Sequence, residues 1–475
     1  MWAYRKTGPY LAVLAVLLVG CQTGPDYKRP KISMPQLKVE KNIEEYVQNR
    51  WWQVFSDKTL SELEEQAIKY NEDIKQAVAN MEIAMALAGI TVANFFPSLG
   101  ISGEGTKSCM SKNGTAAPLA AFMKSRTTRD YSTAAAISYE IDFFGKYRRA
   151  NEAAQADLLA SKAFRDSVLL TVTAEVAKTY FLLRALDAKL AIARRTFDTR
   201  QKTCAVYDSL FQNGYCTELD YWRVQSEMSS IKAVVLDLEA AVARAENALS
   251  VLIGANPREM VVRRTAKDQA IEKMRIPSEV PSGIPSDMLA RRPDIQQAEG
   301  LLISANAKVG VAKAAHFPSI SLTGIFGFES MNLARLFNAA SDVWNLNGGI
   351  ALPLFNGGKI SEQNRAAEAN YRRMLAGYGK AVQTAFRETL DALVSNRKNR
   401  EIVISRTRQV NSMKRSYEIA KKQKESGLIG LLDLLDVERG LLASEMDLVS
   451  ALQNQLTAVV DLCKALGGGW KSSDY

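Results

Sequence analysis

From Lys146 to Asn213 the chain runs without one glycine or proline. These are the two residues that most readily end a helix, so the stretch permits a single helix of roughly 100 Å at about 1.5 Å per residue, several times the width of a small domain. Within it Val168, Val172, Val176, Tyr180, Leu183, Leu186 and Leu190 recur at three- and four-residue steps. They make one apolar stripe, the seam expected of a coiled coil or helix bundle.

The chain contains this unit twice. At a shift of 221, Asp73, Ile74, Gln76 and Ala77 fall on Asp294, Ile295, Gln297 and Ala298, and Phe96-Pro97-Ser98 falls on Phe317-Pro318-Ser319. At a shift of 213, Gly145-Lys146 falls on Gly358-Lys359, Gly214 on Gly427, Leu219-Asp220 on Leu432-Asp433 and Gly254 on Gly467, with no insertion between them. Internal repetition of this kind marks a duplicated supersecondary unit. The change of shift falls between the Phe-Pro-Ser and Gly-Lys motifs, which places a loop of variable length there.

Each Phe-Pro-Ser motif ends a helical pattern and begins an alternating one, because the residue before a proline is pushed out of the α region. In Ser319 to Phe328, Ile320, Leu322, Phe326 and Phe328 share a face with Gly324, while Ser319, Ser321 and Thr323 take the other. Ten residues with that alternation suit a transmembrane β-strand. Its predicted partner is Trp344 to Leu354; in the first copy the pair is Ser98 to Lys107 and Tyr131 to Ile141. Four strands cannot close a membrane barrel, and an open edge in lipid leaves backbone groups unpaired. The subunit must therefore oligomerise. A dimer of eight strands has an interior filled by side chains, whereas a trimer of twelve leaves a passage.

The domain reading follows. Residues 1–20 are a signal peptide and 21–58 a lipid-anchored extended segment. The first repeat, 59–257, holds a helix over roughly Thr59 to Phe95, a hairpin over 98–141 and helices over 146–213 and 215–253. An equatorial linker at 258–285 leads to the second repeat, 286–470, with a helix, a hairpin over 319–354 and helices over 359–426 and 428–466; 471–475 is a tail. The leader rests on Arg5 and Lys6 before an apolar run from Tyr10 to Val19, too short to cross a bilayer as a helix. Leu18, Val19 and Gly20 then precede Cys21, which resembles a lipoprotein signal that acylates the cysteine, with Gln22 favouring the outer membrane.

Charge and cysteine content exclude other classes. The excess of 61 basic over 51 acidic residues is spread thinly, with no basic block interleaved with aromatics, so nucleic acid is not a partner. Cys109, Cys204, Cys216 and Cys463 show no CxxC spacing, which argues against a zinc site or a disulfide framework. The sole histidine, His316, has no catalytic partners nearby, and the methionines are scattered, so neither enzyme activity, a cofactor nor a metal relay is expected.

Taken in order, CQTGPDYKRP after the leader, WWQVFSDKTLSEL from Trp51, IPSDMLARRPDIQQAE from Ile284 and LPLFNGGKI from Leu352 resemble the TolC family of outer-membrane channel proteins, in its OprM/NodT-like lipoprotein branch. The resemblance implies a mixed membrane protein: a trimeric twelve-stranded β-barrel, four strands per chain, continued by a long periplasmic α-helical barrel. Its implied function is a passive exit channel for small exported compounds, working with a periplasmic adaptor protein and an inner-membrane RND pump. The turns at Gly214 and Gly427, with Leu219 and Asp220, are the implied adaptor-contacting tips. Asp433 and Asp436 match entrance acids of the family, and rings of them attract cations; carboxylates in the first turns of a helix also complement its dipole without any pore. Arg439, one turn after Asp436, is a candidate latch of the closed state, and Leu432 a candidate constriction. Two other readings fit the same pattern, the outer-membrane duct of a type I protein secretion system and a lipid-anchored coiled-coil tether without a pore.

Overall fold

The computed structural model describes residues 22–30, 50–111, 113, 115, 125–256, 270–276 and 291–468. The leader, Cys21, most of the linker and the tail lie outside them. The described elements are α1 (Lys58–Tyr70), α2 (Glu72–Ala93), β1 (Ser98–Cys109), β2 (Thr127–Ile141), α3 (Lys146–Gln212), α4 (Glu218–Leu252), α5 (Pro293–Ala314), β3 (Ser319–Ser330), β4 (Asp342–Ala351), α6 (Lys359–Glu425) and α7 (Leu431–Ala465). The long helices α3 and α6 are 67 residues each, and α4 and α7 are 35 residues each.

Strands β1, β2 and β3 run two to four residues beyond their predicted ends and α4 and α7 start three residues later than predicted, and three further differences have a local cause. The first helix is two helices broken at Asn71, whose Oδ1 accepts from Ile74 N at 3.1 Å and whose Nδ2 donates to Leu252 O at 2.8 Å. Asn71 thus caps α2 and ties it to the end of α4. The last strand starts earlier and stops at Ala351 rather than Leu354, because Pro353 has no N–H to give a ladder. The helix expected from Ser286 begins, among the described residues, at Pro293, a residue suited to the first helical turn.

The chain divides into two compact units, and both repeats contribute to each. The first gathers the described part of Met1–Lys31 with Glu82–Ala160 and Glu299–Gly377; the second gathers Ile32–Met81, Ser161–Ala298 and Tyr378–Tyr475. In the first unit the four strands form one antiparallel sheet in the order β1-β2-β3-β4. The register sets Leu99 opposite Ile137, Ile137 opposite Gly324, and Gly324 opposite Leu346, so most large apolar residues of the four strands share one face, with Ile325 and Val343 on the other. Ser102, Ser132, Thr323 and Asn347 lie on the other face. Leu99, Ile101, Leu346 and Ile350 are each more than 70% exposed in the single chain. Among the described residues neither β1 nor β4 has a second neighbour.

An extended strap, Gln22–Pro30, is bound to the same unit. Thr23 N donates to Phe144 O at 3.2 Å, Asn306 Nδ2 to Pro25 O at 2.8 Å, and Tyr27 OH to Glu299 Oε1 at 3.1 Å. The buried Arg149 donates to Thr23 O, Gly24 O and the Asp26 carboxylate. Gly24, at φ +90°, lies so close to Gly310 that a Cβ on it would be 2.5 Å from the Gly310 Cα.

The second unit holds the main core. Trp51, Trp52, Phe55 and Leu60 pack with Tyr180, Phe181, Leu249, Leu456 and Leu462, so the WWQVF motif serves packing. Of the predicted α3 stripe, Val172, Val176, Tyr180, Leu183 and Leu190 are buried in this core, and Val168 and Leu186 pack at its margin. Tyr180 OH donates to Asp57 Oδ2 at 3.0 Å, and Asp57 Oδ1 accepts from Leu60 N to cap α1. Arg292, also buried, donates to Ala465 O at 3.1 Å and to the Asp294 and Glu388 carboxylates, which fixes the start of α5 to the end of α7.

Glu64 on α1 is fully buried with neither carboxylate oxygen hydrogen-bonded, and burial raises its carboxyl well above the ordinary range. Burial thus favours its neutral form. Its stabilising protonation is complete below the unfolded value near 4.5 and is lost as pH rises through the raised folded value. Glu64→Leu should therefore raise the thermal midpoint at neutral pH, by about 1–3 kcal/mol of stability for removing an unsatisfied buried polar group. The gap to wild type should shrink as the solution is acidified. Circular dichroism melts across pH check this, and coincident melts at every pH would show that Glu64 is solvated or paired.

Candidate functional site

The turns after α3 and α6 are built alike. Gly214 at φ +74° and Gly427 at φ +72° adopt the left-handed conformation that lets a helix end in a tight reversal. Tyr215 N donates to Leu210 O, and Leu428 N to Gln423 O, both at 2.8 Å. Thr217 then caps α4 by accepting from Asp220 N at 3.1 Å. In the second copy Asp433 supplies the cap itself, accepting from Gly430 N at 3.0 Å. Asp433 thus has a structural role in the first turn of α7. Leu219 and Leu432 are exposed beside these caps, as are Tyr215, Trp222 and Leu428, which the sequence reading did not single out.

Arg439 does not pair closely with Asp436; its Nη1 is 3.9 Å from Asp436 Oδ1. Its Nε and Nη2 instead donate to Glu227 Oε1 on α4, at 2.9 and 2.5 Å. Glu227 Oε2 accepts from Arg200 Nη1 on α3 at 2.9 Å. Arg200 is nearly enclosed, and its Nε lies 3.0 Å from Glu438 Oε2 without hydrogen-bond alignment. An alternating chain of charges therefore joins α3, α4 and α7. Asp436 stays 85% exposed at its end.

The two carboxylates facing Arg200 shift in opposite directions. Burial works to raise Glu227, but the Arg439 hydrogen bonds and the Arg200 charge outweigh it and hold the carboxyl low. Glu438 is the more enclosed, and burial raises it against the pull of Arg200 and a hydrogen bond with Tyr417 of α6. Glu227 is thus the ionised partner of both guanidiniums.

Sequence reasoning named Asp436 and Arg439 but missed Glu227, Arg200 and Glu438. A signal existed in the repeat. At the shift of 213, Arg200 falls on Met413 and Glu227 on Gly440. The second copy makes the same contact without charge, since a Cβ on Gly440 would be 2.5 Å from Met413 Cε. An ion pair in one copy thus stands at the position of a Gly-Met contact in the other.

Among the described residues no cluster of three or more potential metal ligands occurs. Cys109, Cys204, Cys216 and Cys463 are free thiols. Cys463 is sealed in the core, where burial pushes its thiol up to about 12.

The family model for outer membrane efflux proteins matches residues 63–255 and 284–468, one block per repeat. The chain belongs to the outer membrane efflux protein family. It is 30% identical over 470 residues to the cation efflux system protein CusC of Escherichia coli, covering 98% of this chain and 99% of that one. It is 31% identical over 470 residues to the probable efflux pump outer membrane protein TtgC of Pseudomonas putida, with 97% and 95% covered. Among solved structures, the CmeC outer membrane channel of Campylobacter jejuni superposes with a TM-score of 0.88 at 27% identity, covering 96% of each chain. The open state of the MtrE outer membrane channel of Neisseria gonorrhoeae superposes at 0.83 with 29% identity, over 94% of this chain and 98% of that one. The family is one of channels, so this chain is not an enzyme.

Proposed function

We propose that three copies of this chain form the outer-membrane exit channel of a tripartite efflux system, closed at rest where α7 turns inward at Asp436. The observation that carries this reading is the four-stranded sheet with one apolar face and two unpaired edges. Sister chains complete it as a twelve-stranded cylinder, since lipid tolerates no open edge. The exposed Ile83, Leu87 and Ile90 of α2 form a further apolar strip for a sister chain to cover.

The strap supports acylation at Cys21. Its first described residue, Gln22, is so near the end of β2 that a Cβ on Gly145 would be 3.2 Å from the Gln22 Cα. Gln22 and Thr23 thus lie where the sheet gives way to helix, with Thr23 N donating to Phe144 O and the Phe144 ring stacked on Phe317 at 4.8 Å. Gly214, Leu219, Asp220 and Gly427 form the surface offered to a periplasmic adaptor, and Leu432 narrows the entrance beside Asp436. The relatives' names span cations, toluene and antibiotics, a range that fits a duct without a cargo-binding pocket. The cargo here is accordingly small compounds delivered by an inner-membrane pump.

A ring of three Asp436 carboxylates at the narrowest point makes the pore cation-selective. In planar bilayers wild-type trimers should pass potassium over chloride, and Asp436→Asn should lower that ratio severalfold. An unchanged ratio would remove Asp436 from the constriction. Absence of discrete conductance in the wild type would remove the channel.

A further inference from the structure

The apolar face of the sheet continues one row beyond its last aromatic residue, and that row is cationic. Counting along β2 from the helix-bearing end, the face with Ile141, Tyr139, Ile137, Ala135, Thr133 and Tyr131 next carries Arg129. The register places Lys107 of β1 directly opposite Arg129. Both side chains are exposed. From Ile141 to Tyr131 is about 33 Å along a strand at ~3.3 Å per residue, or about 25 Å in height at a tilt near 40°, which is the height of a lipid-facing band. Tyr131 therefore marks the outer rim of the band, and its ring lies over Gly105 of β1, where a Cβ would be 3.4 Å from Tyr131 Cδ1. Arg129 and Lys107 stand about 5 Å above it, at the level of headgroups.

Like charges directly opposite on a sheet repel one another. Among the described residues of one chain, no acid on this face stands beside the pair. The acids nearest by register, Glu104 opposite Ser132 and Asp130 opposite Thr106, project from the other face. Asp342, on the same face, is opposite Phe328, with β2 and β3 between its strand and β1 of the same chain; in the closed cylinder the β4 beside β1 is a sister chain's, and a contact with its Asp342 is the alternative that the glutamine variant distinguishes. Arg126, exposed just before β2 begins, donates to Met110 O at 3.4 Å and adds a third positive charge at this end of the hairpin. A guanidinium grips phosphate through two parallel N–H bonds and an ammonium adds a point charge. Phosphate between them turns the repulsion into attraction.

We propose that Lys107 and Arg129 form a binding site for the phosphate groups of outer-leaflet glycolipid, seated directly above the Tyr131 girdle. The inference rests on the sheet lying in lipid, which alkaline extraction of the membrane tests separately. The experiment uses full-length trimers in phosphatidylcholine vesicles, alone, with lipopolysaccharide, with phosphatase-treated lipopolysaccharide, or with inorganic phosphate in the buffer. The reading is the temperature at which the trimer dissociates. Lipopolysaccharide should raise that temperature by several degrees, while the phosphatase-treated form and inorganic phosphate should leave it nearly unchanged. The double variant Lys107→Gln/Arg129→Gln should lose the increment, and Lys107→Arg/Arg129→Lys should keep it. Equal increments from treated lipopolysaccharide or from free phosphate would overturn the proposal. So would a glutamine variant that dissociates early in phosphatidylcholine but keeps its lipopolysaccharide increment, because the pair would then serve a contact between subunits.

Discussion

Channels carrying Arg439→Ala should conduct far more in the resting state than wild type. Arg439 ties α7 to Glu227 of α4 through two hydrogen bonds to one carboxylate oxygen, and under the proposed gating the inward-turned α7 helices stay closed only while such ties hold. The pair is half exposed, so each subunit's contribution is about 1 kcal/mol, at the upper end for solvent-screened ion pairs. Three subunits give about 3 kcal/mol, or roughly a hundredfold in the closed-to-open ratio. Glu227→Gln should open the channel as well, since it also strips the nearly enclosed Arg200 of its main counter-charge. The double variant should conduct little more than either single one, because both break the same tie. Because Glu227 is held below the ordinary carboxylate range, the tie is present above that range and is lost only as pH falls through the lowered value. Resting conductance should thus stay flat from neutral pH down to about 4.5, the ordinary glutamate value that the untied carboxyl takes, and rise as pH falls from there through the lowered value. Wild-type conductance in both single variants would dismiss Arg439 and Glu227 as the latch.

A second large effect is expected from Gly327→Val. Gly327 faces Ala134 across the β2–β3 ladder, and a Cβ there would stand 2.1 Å from Thr133 O and 2.7 Å from Ala134 Cα. Both obstacles are backbone, so the two strands would have to part. They are the inner strands of the sheet and join the two hairpins, one from each repeat. The variant should be made and exported yet yield no heat-stable trimer, while the helical signal of the second unit persists. A normal trimer from Gly327→Val would show that the two hairpins need not pair as described.

Much of this architecture was legible because it is periodic. Absence of Gly and Pro set the length of α3, two-residue alternation set the strands, and self-alignment exposed the repeat. Features that depend on partners remote in sequence were not legible. Helical propensity runs through Asn71, and its tie to the Leu252 carbonyl, 181 residues away, cannot be read from any local pattern. A cap residue followed by Glu72 and Asp73 was still a readable start signal. In the same way Arg439 invited pairing with Asp436 one turn away, because local spacing is all that a helix pattern shows. Its partner Glu227 is 212 residues distant. Arg149, whose contacts with the strap no motif announces, is a third case: its partners become visible only once Thr23 and Asp26 are folded onto it.

The central claim is that the strands themselves, with or without an acyl group on Cys21, hold this protein in the membrane. Alkaline carbonate extraction of membranes containing Cys21→Ser protein tests it most directly. The account predicts that the unacylated trimer remains in the pellet, and that adding Gly327→Val releases it. Recovery of folded Cys21→Ser protein as a soluble monomer in the supernatant would contradict the account and leave a tether without a pore.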